Sequence, residues 1–262
     1  MRTRLLKSVA KVAGIAAALV VLLFAVGPFL VPVRPLGGLA AAQEVAPDDS
    51  RFITIPFVGT DGLDIHYLDR GSDAGGTKPT FVLLHGSMFN AFTWDQTLDF
   101  FAERGRVIAY DQIPYGLSEK LIAGDWNADH PYAASAAVDH LFSLLDELGV
   151  GRVVLVGNSY GGVIAVQAAL AQPERVEALV LVDAAVYVEE EMPAWLMNLP
   201  QVRRLGPVLA RQLGQNEAFL RQTYSNPDRI SDDRLAATSI HTRVADWDLA
   251  LWEYLRAWSV DL

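Results

Sequence analysis

The sequence predicts an α/β fold in which a mostly parallel sheet carries flanking helices and a helical cap. Short apolar runs, too short for helices, recur along the middle of the chain at 80–85, 106–111, 152–156 and 176–183. Segments with helical spacing of apolar residues lie between them, and only helix-like stretches follow Asp183. Strands that alternate with helices favour a parallel sheet with right-handed crossovers.

The N-terminus predicts a membrane anchor. An uncharged run at 12–33 would span about 33 Å as a helix, enough to cross the bilayer core. We expect an uncleaved anchor at 1–36, with the N-terminus in the cytoplasm and the domain on the extracytoplasmic side. Secretion after signal cleavage near 40–42 is the alternative. The basic residues ahead of the run, which set this orientation, are Arg2, Arg4, Lys7 and Lys11.

Composition limits the partners. The formal net charge is −10, and the body beyond the basic N-terminus is more acidic still, which argues against nucleic acid. The sequence has no cysteine, so it forms no disulfide and no thiolate metal site, as suits an extracytoplasmic location. No cofactor or metal is predicted. The sequence does not determine an oligomeric state.

The remaining segments divide the chain. A small, polar segment at 37–50 predicts a linker. The run at 51–70 predicts a hairpin around Asp61-Gly62. Helical spacing continues at 92–104 and 131–148. We therefore expect the α/β core at 51–188 and the helical cap at 189–262.

The central motif is Gly157-Asn158-Ser159-Tyr160-Gly161, between the strand at 152–156 and a helix-forming segment. A serine on so tight a turn sits in a strained conformation, and glycines two residues away let strand and helix approach closely. The turn also places Ser159 at the positive end of the following helix, where an oxyanion is favoured. This strand–turn–helix order predicts a nucleophile elbow; a glycine-rich connection without chemistry is the alternative.

Four motifs in this order resemble the α/β-hydrolase fold superfamily, specifically its esterase, lipase and C–C hydrolase-like members. They are His85-Gly86, the turn at 111–118, the elbow at 157–161 and Leu181-Val182-Asp183. The resemblance covers 51–262. The N-terminal anchor is similar to that of a membrane-anchored bacterial subgroup.

The resemblance implies roles for individual residues. Ser159 would be the nucleophile, and the backbone N–H groups of Ser87 and Tyr160 would form the oxyanion hole. Met88 replaces Ser87 if the turn is one residue longer. His85 would be structural, its ring holding the loop that presents Ser87.

The chain departs from the family pattern in its second half. In the family, the catalytic acid and histidine follow the serine on loops after two further strands, and this chain reaches Leu262 without either strand. The expected fold therefore lacks the last two strands, and one sheet edge would be exposed. His241 is the only later histidine and is interpreted as a polar cap residue. Asp183 is a weak candidate acid, and 189–191 is interpreted as a solvated charge run.

The other polar residues are interpreted as structural. Asp111 and the segment 116–118 would form a turn. Before the elbow, His66, His130 and His140 fall on a strand, a loop and a helix face, and none has a spacing that predicts catalysis.

These observations predict a serine hydrolase that acts on an ester or related acyl small molecule through an acyl-enzyme at Ser159. The apolar, Trp-rich cap favours a hydrophobic substrate. Without an acid and a histidine, activity of the chain as it stands is expected to be weak or absent. The alternatives are a C–C hydrolase or amidase on the same fold, and a non-catalytic, membrane-tethered fragment or pseudoenzyme. Epoxide hydrolase and haloalkane dehalogenase chemistry is disfavoured, because it uses an aspartate at the elbow.

Overall fold

A six-stranded mixed sheet forms the centre of the molecule, whose computed structural model describes residues 2–73, 75–186 and 193–258. The strand order across the sheet is β1-β2-β4-β3-β5-β6. The strands are β1 (Arg51–Ile55), β2 (Leu63–Gly71), β3 (Thr80–Leu84), β4 (Arg106–Tyr110), β5 (Val153–Asn158) and β6 (Val176–Val182).

The sheet is mostly parallel, as the sequence predicts. Strands β3, β4, β5 and β6 run parallel to one another. The β1–β2 hairpin is antiparallel and joins the sheet through an antiparallel β2–β4 pair. The predicted hairpin turn is present: Gly62 has φ +111°, which only glycine adopts readily.

Helices cover both faces of the sheet and build the cap. They are α1 (Arg2–Leu30), α2 (Ala42–Val45), α3 (Asp95–Ala102), α4 (Ala134–Glu147), α5 (Tyr160–Ala171), α6 (Ala194–Met197), α7 (Pro200–Gly214), α8 (Glu217–Gln222), α9 (Asp232–Thr238) and α10 (Trp247–Ala257). Short 3-10 turns at Ala91–Trp94, Pro227–Arg229 and Ile240–Arg243 connect them.

Alternation along the strands makes two cores. Successive strand residues point to opposite faces, so Leu83 of β3 packs with Leu98 of α3 on one face. Its neighbours Val82 and Leu84 belong to the larger core on the other face, which includes Leu141 of α4. All five side chains are buried. Burying both faces explains why these strands are continuously apolar.

The cap is a helical layer closed by α7 and α10. Two tryptophans of α10, Trp247 and Trp252, lie against glycines of α7. A Cβ at Gly206 would lie 2.0 Å from the Trp252 ring, so only glycine allows this helix contact. These two tryptophans therefore fill the cap interior.

The segment predicted as a linker is docked on the domain. Ala40 forms a parallel bridge with Val244, in which the Ala40 amide donates to Arg243 and its carbonyl accepts from Ala245 at 3.0 Å each. Apolar residues of α2 then pack beside Leu117. The small residues at 37–50 thus allow close contact with the cap.

Strand β6 lies at one end of the sheet and is exposed. It pairs with β5, and no other strand in the described residues pairs with it. Leu179, Val180, Leu181 and Val182 are each at least 37% exposed. Such an apolar strand edge is the exposure that the sequence predicts here.

Helix α1 includes one stretch, Lys11–Leu30, that is long and apolar enough to cross a membrane, with mean hydropathy 2.5. The helix contacts α7 of the cap. Just after it, the Val31 carbonyl accepts a hydrogen bond from Arg204 at 3.1 Å. A signal sequence would pass the same test of length and composition.

Candidate active site

Ser159 lies at a sharp turn between β5 and α5. Its backbone has φ 52° and ψ −118°, outside the usual regions for a residue with a side chain. The Ser159 amide donates to the Val182 carbonyl at 3.1 Å. The Ser159 carbonyl accepts from Gly162 and Ala185. The turn is therefore held by backbone bonds, and the Ser159 side chain is half-buried.

The glycines on either side of the serine are required by close backbone contact. A Cβ at Gly157 would lie 2.5 Å from the Gly161 carbonyl oxygen. A Cβ at Gly161 would lie 2.3 Å from the Leu84 carbonyl oxygen and 2.6 Å from that of His85. These neighbours are backbone atoms, which cannot move away as a flexible side chain can. Glycine at positions 157 and 161 therefore lets β3, β5 and α5 pack closely around Ser159.

The His85–Gly86 loop lies beside the serine. A Cβ at Gly86 would be 3.1 Å from the Ser159 Cβ. The buried His85 ring donates from Nδ1 to the Gly86 carbonyl at 2.8 Å and accepts at Nε2 from the Gln112 amide at 3.0 Å. Burial lowers the pKa of His85, so the ring is neutral. Both ring nitrogens are thus engaged in holding the loop, which agrees with the predicted structural role of His85.

The predicted oxyanion donors lie on this loop and at the start of α5. Ser87 is half-buried next to Gly86, and Tyr160 is the first residue of α5. Met88 has φ 68°, which marks a turn at the next residue. The amide of Ser159 already donates to Val182 and is not a candidate. The roles of the Ser87, Met88 and Tyr160 amides remain predictions.

His241 is placed in the cap interior. It lies in the Ile240–Arg243 turn, with its ring 5.3 Å from the Trp247 ring, and its Nε2 would be 3.3 Å from a Cβ at Gly214. Burial lowers its pKa to about 4. None of its described contacts is with Ser159, which agrees with its interpretation as a cap residue.

Asp183 follows β6 directly and is exposed, with φ 47°. Its position next to Val182, the acceptor for the Ser159 amide, keeps it near the elbow. In the described residues no histidine bonds to it. The charge run at 189–191 lies outside the described residues.

The histidines before the elbow have structural surroundings. His140 of α4 is buried with its ring 4.7 Å from that of Phe57, and burial lowers its pKa to about 3. His130 lies beside Trp126, and burial followed by the charge of Arg256 lowers its pKa. Both rings are therefore neutral near pH 7.

A buried array of Ser50, His66 and Asp111 was not predicted from the sequence. His66 Nδ1 lies 2.7 Å from Asp111 Oδ2, and its Nε2 lies 2.9 Å from the Ser50 hydroxyl. This is the bonding order of a serine-hydrolase triad. However, His66 has no exposed surface and lies between the rings of Phe52 and Phe92, each 5.3 Å away. We therefore assign the array to holding the segment before β1 against the sheet.

Asp111 forms the turn that the sequence predicts. Its carboxylate accepts from the amides of Ala91 and Leu117 at 2.6 Å each. Burial by itself would raise its pKa, but the charge and hydrogen bond of His66, together with the Ala91 amide, hold the pKa below its usual value. A Cβ at Gly116 would lie 1.9 Å from this carboxylate, so the turn requires glycine there. Lys120 closes the same turn by donating to backbone carbonyls.

The described residues contain no group of three or more His, Asp or Glu side chains arranged to hold a metal ion. The site is instead a serine on a strained elbow, beside a glycine loop with candidate amide donors, above a mostly parallel sheet. This combination defines an α/β-fold hydrolase.

Comparison with known proteins agrees with that class. Residues 79–254 match the family described as alpha/beta hydrolase fold, and the chain belongs to this family.

Similar curated proteins are named as hydrolases. The chain is 39% identical over 193 residues to a 2-hydroxy-6-oxononadienedioate/2-hydroxy-6-oxononatrienedioate hydrolase of Burkholderia vietnamiensis, a match that covers 71% of this chain and 63% of the relative. It is 37% identical over 116 residues to a 2-hydroxymuconate semialdehyde hydrolase of a Pseudomonas species, covering 43% of this chain and 38% of the relative. The chain thus spans less than two thirds of the length of these relatives.

A similar solved structure is that of a probable hydrolytic enzyme from Pseudomonas aeruginosa. The TM-score is 0.60 at 27% identity, and the match covers 85% of this chain and 68% of the other.

Proposed function

We propose that the chain carries the nucleophile and oxyanion parts of a serine hydrolase that acts on small esters or related acyl compounds. The observation that carries the proposal is the strained Ser159 turn with the Gly86 loop against it, at 3.1 Å between the Ser159 Cβ and a Cβ built at Gly86. In the reaction, Ser159 Oγ bonds to the substrate carbonyl carbon, and the oxyanion accepts from the Tyr160 amide and that of Ser87 or Met88. Collapse breaks the bond from the carbonyl carbon to the alkoxide, which gains the proton that Ser159 Oγ has lost and leaves as the alcohol. Water then hydrolyses the acyl-enzyme to the carboxylic acid and restores Ser159.

The base for this chemistry is proposed to lie outside these 262 residues. Among the described residues no histidine forms a hydrogen bond with Ser159. Strand β6 pairs only with β5 among the described strands, and its apolar side chains are exposed, so its free edge is a place where further strands can pair. The chain also spans only part of its relatives. The chain alone is therefore expected to hydrolyse esters slowly.

A C–C hydrolase is the second candidate, and the names of the similar proteins from Burkholderia and Pseudomonas favour it. Nucleophilic attack at a carbonyl is common to both reactions. They differ in the leaving group, because C–C cleavage expels a carbanion that must gain a proton, whereas ester cleavage expels an alkoxide.

We expect the full chain, in detergent micelles, to react slowly with an alkyl fluorophosphonate and at one residue, Ser159, since this serine lies on the elbow and the base is proposed to lie outside the chain. Peptide mapping by mass spectrometry locates the adduct, and hydrolysis of p-nitrophenyl butyrate gives the rate. A folded protein that takes up no probe and shows the solvent rate of hydrolysis contradicts the proposal and supports a non-catalytic binding protein. An adduct on Ser50 would contradict the proposal, because it would show that Ser50, and not Ser159, is the reactive serine.

We also propose that α1 anchors the domain on the extracytoplasmic side of a membrane. The stretch Lys11–Leu30 is apolar and exposed, and basic residues precede it. The half-buried residues of its C-terminal part, such as Ala25 and Pro28, and the bond from Arg204 to Val31 place the cap at that end of the helix. Cleavage near 40–42 would remove this contact.

Thiol labelling tests the anchor cleanly, because the chain has no cysteine of its own. In intact cells, a membrane-impermeant maleimide should label Asp61→Cys, an exposed position, and should label Thr3→Cys only after lysis. The protein should stay with membranes after an alkaline carbonate wash. Soluble protein whose mass lacks the first 40 residues or so would establish cleavage instead.

A further inference from the structure

Helix α7 of the cap packs against the C-terminal end of α1. Residues 11–24 of α1 are all exposed, whereas Ala25, Gly27 and Pro28 are half-buried. The contact with α7 therefore lies in the last part of the apolar stretch Lys11–Leu30. As a helix that stretch is about 30 Å long, the thickness of the bilayer core. If α1 crosses a membrane, α7 lies at the level where the bilayer core meets the lipid headgroups.

The Arg204 side chain is held at this same level. One of its terminal nitrogens donates to the Val31 carbonyl at 3.1 Å, one residue beyond the end of the apolar stretch. A guanidinium group has five N–H donors, and Arg204 makes no second side-chain hydrogen bond or ion pair to a described residue. Arg34 is exposed close by in the chain and has no ion pair within the described part of it. Two arginines with unused donors thus lie where lipid phosphates would lie.

The charge of α7 is opposite to that of the chain as a whole. Its sequence contains three arginines and no Asp or Glu, although the net charge of the chain is −10. Arg211 is paired with Asp248 at 2.7 Å. Arg203 and Arg204 have no carboxylate partner among the residues that the structure describes. An unpaired basic segment beside a membrane-crossing helix complements the negative surface of a bilayer that contains anionic lipid.

Two large apolar side chains are exposed on the same part of the cap. Trp195 lies in α6, just before the N-terminal end of α7, and is 69% exposed. Leu209 lies within α7 and is 49% exposed. Tryptophan is enriched where a bilayer meets water, and a surface helix with exposed basic and apolar residues favours binding in that layer. The exposed residues of this region therefore fit a membrane surface in both charge and hydrophobicity.

We propose that α7, together with Trp195 and Arg34, forms a lipid-binding surface that lies in the headgroup layer of the bilayer crossed by α1. Arg34 and Arg204 donate to lipid phosphates, and Trp195 and Leu209 insert among the acyl-chain carbonyls. The partner is a bilayer that contains anionic lipid, and the cap is held against it. This inference rests on the proposed anchor α1 and is independent of the hydrolase reaction.

The position of single fluorescent labels tests this surface in the full chain, which has no cysteine of its own. Leu209→Cys and Trp195→Cys, each labelled with nitrobenzoxadiazole, are placed in nanodiscs of phosphatidylcholine and phosphatidylglycerol in equal amounts. We expect a lipid with a nitroxide near its headgroup to quench both labels. Leu170→Cys is the matched control, because this leucine is 74% exposed and lies at the far end of α5 from the elbow. Its label should keep its fluorescence.

Lipid titration tests the arginines. The full chain in detergent micelles is titrated with dioctanoyl phosphatidylglycerol and, separately, with dioctanoyl phosphatidylcholine, and native mass spectrometry counts the bound lipid. The anionic lipid should bind more tightly. Arg204→Gln should weaken its binding about fivefold, the effect of about 1 kcal/mol per basic residue at a membrane surface. Arg152→Gln should leave the Kd unchanged, since Arg152 is an exposed arginine before β5 that also lacks an ion pair in the described residues.

A label at Leu22→Cys, near the middle of the apolar stretch, separates failure of this inference from failure of the anchor. Quenching at Leu22 by a nitroxide deep in the acyl chains, without quenching at Leu209, would overturn the lipid-binding surface and leave the anchor standing. No quenching at either position would overturn both. A Leu209 label that is shielded from iodide but not quenched by lipid would assign α7 to contact with a second copy of the chain. Equal weakening by Arg204→Gln and Arg152→Gln would overturn the role of Arg204.

Discussion

Replacing Ser159 with alanine is expected to abolish fluorophosphonate labelling and to bring p-nitrophenyl butyrate hydrolysis to the solvent rate. In a complete serine hydrolase, loss of the nucleophile lowers kcat by a factor on the order of 10⁴ or more. Because this chain is expected to be slow, the variant should show no enzymatic rate above the solvent rate. Initial rates at saturating ester, with labelling in parallel, give the comparison. Labelling that persists in Ser159→Ala would show that another residue reacts.

The matched control is Ser50→Ala, because Ser50 also bonds to a histidine that is oriented by an aspartate. It should retain labelling and turnover, since His66 is fully buried. A loss of turnover in Ser50→Ala at unchanged stability would move the chemistry to the Ser50 array.

Substitutions at Ser159 also test whether its backbone is strained. Ser159 has φ 52° and ψ −118°, which costs about 1–3 kcal/mol for a residue with a Cβ. Ser159→Gly should therefore be more stable than Ser159→Ala by about 1 kcal/mol or more, measured by urea unfolding. This order is the reverse of that at an ordinary helix position.

The second large effect is expected at Gly161. Gly161→Ala should lower the free energy of unfolding by about 3 kcal/mol or more, because its Cβ would lie 2.3 Å from the Leu84 carbonyl and 2.6 Å from that of His85. The clash could be relieved only if α5 moved away from β3. That movement would displace Ser159 from the oxyanion loop. Urea unfolding followed by circular dichroism measures the loss.

Gly151→Ala is the control for this substitution. A Cβ there meets nothing within 4 Å, and the residue has no positive φ. Its effect on the free energy of unfolding should stay within about 0.5 kcal/mol. Equal stability of the two variants would show that the strand–helix contact at the elbow is looser than the distances indicate.

Local signals predicted most of the core. The Asp61-Gly62 turn, the apolar runs of the parallel strands and the glycines around Ser159 each act within a few residues of the chain, and each formed the expected element. The same locality explains the structural role of His85: its ring bonds to the adjacent residue and to the segment after β4.

Contacts between distant segments were harder to predict. Ser50, His66 and Asp111 meet only because β1, β2 and β4 are neighbours in the sheet. The segment at 37–50 is composed like a linker, yet it bonds to the Val244 region of the cap. The tryptophans of α10 suggested a hydrophobic substrate surface, whereas Trp247 and Trp252 lie against glycines within the cap.

The sequence by itself determined the sheet class and the strand–turn–helix order around Ser159, because these depend on short patterns and on chain order. The tertiary structure decided which polar groups are satisfied. It paired His66 with Asp111 and placed His241 inside the cap. Whether a buried polar atom has a partner depends on segments far apart in the chain. No local pattern encodes that.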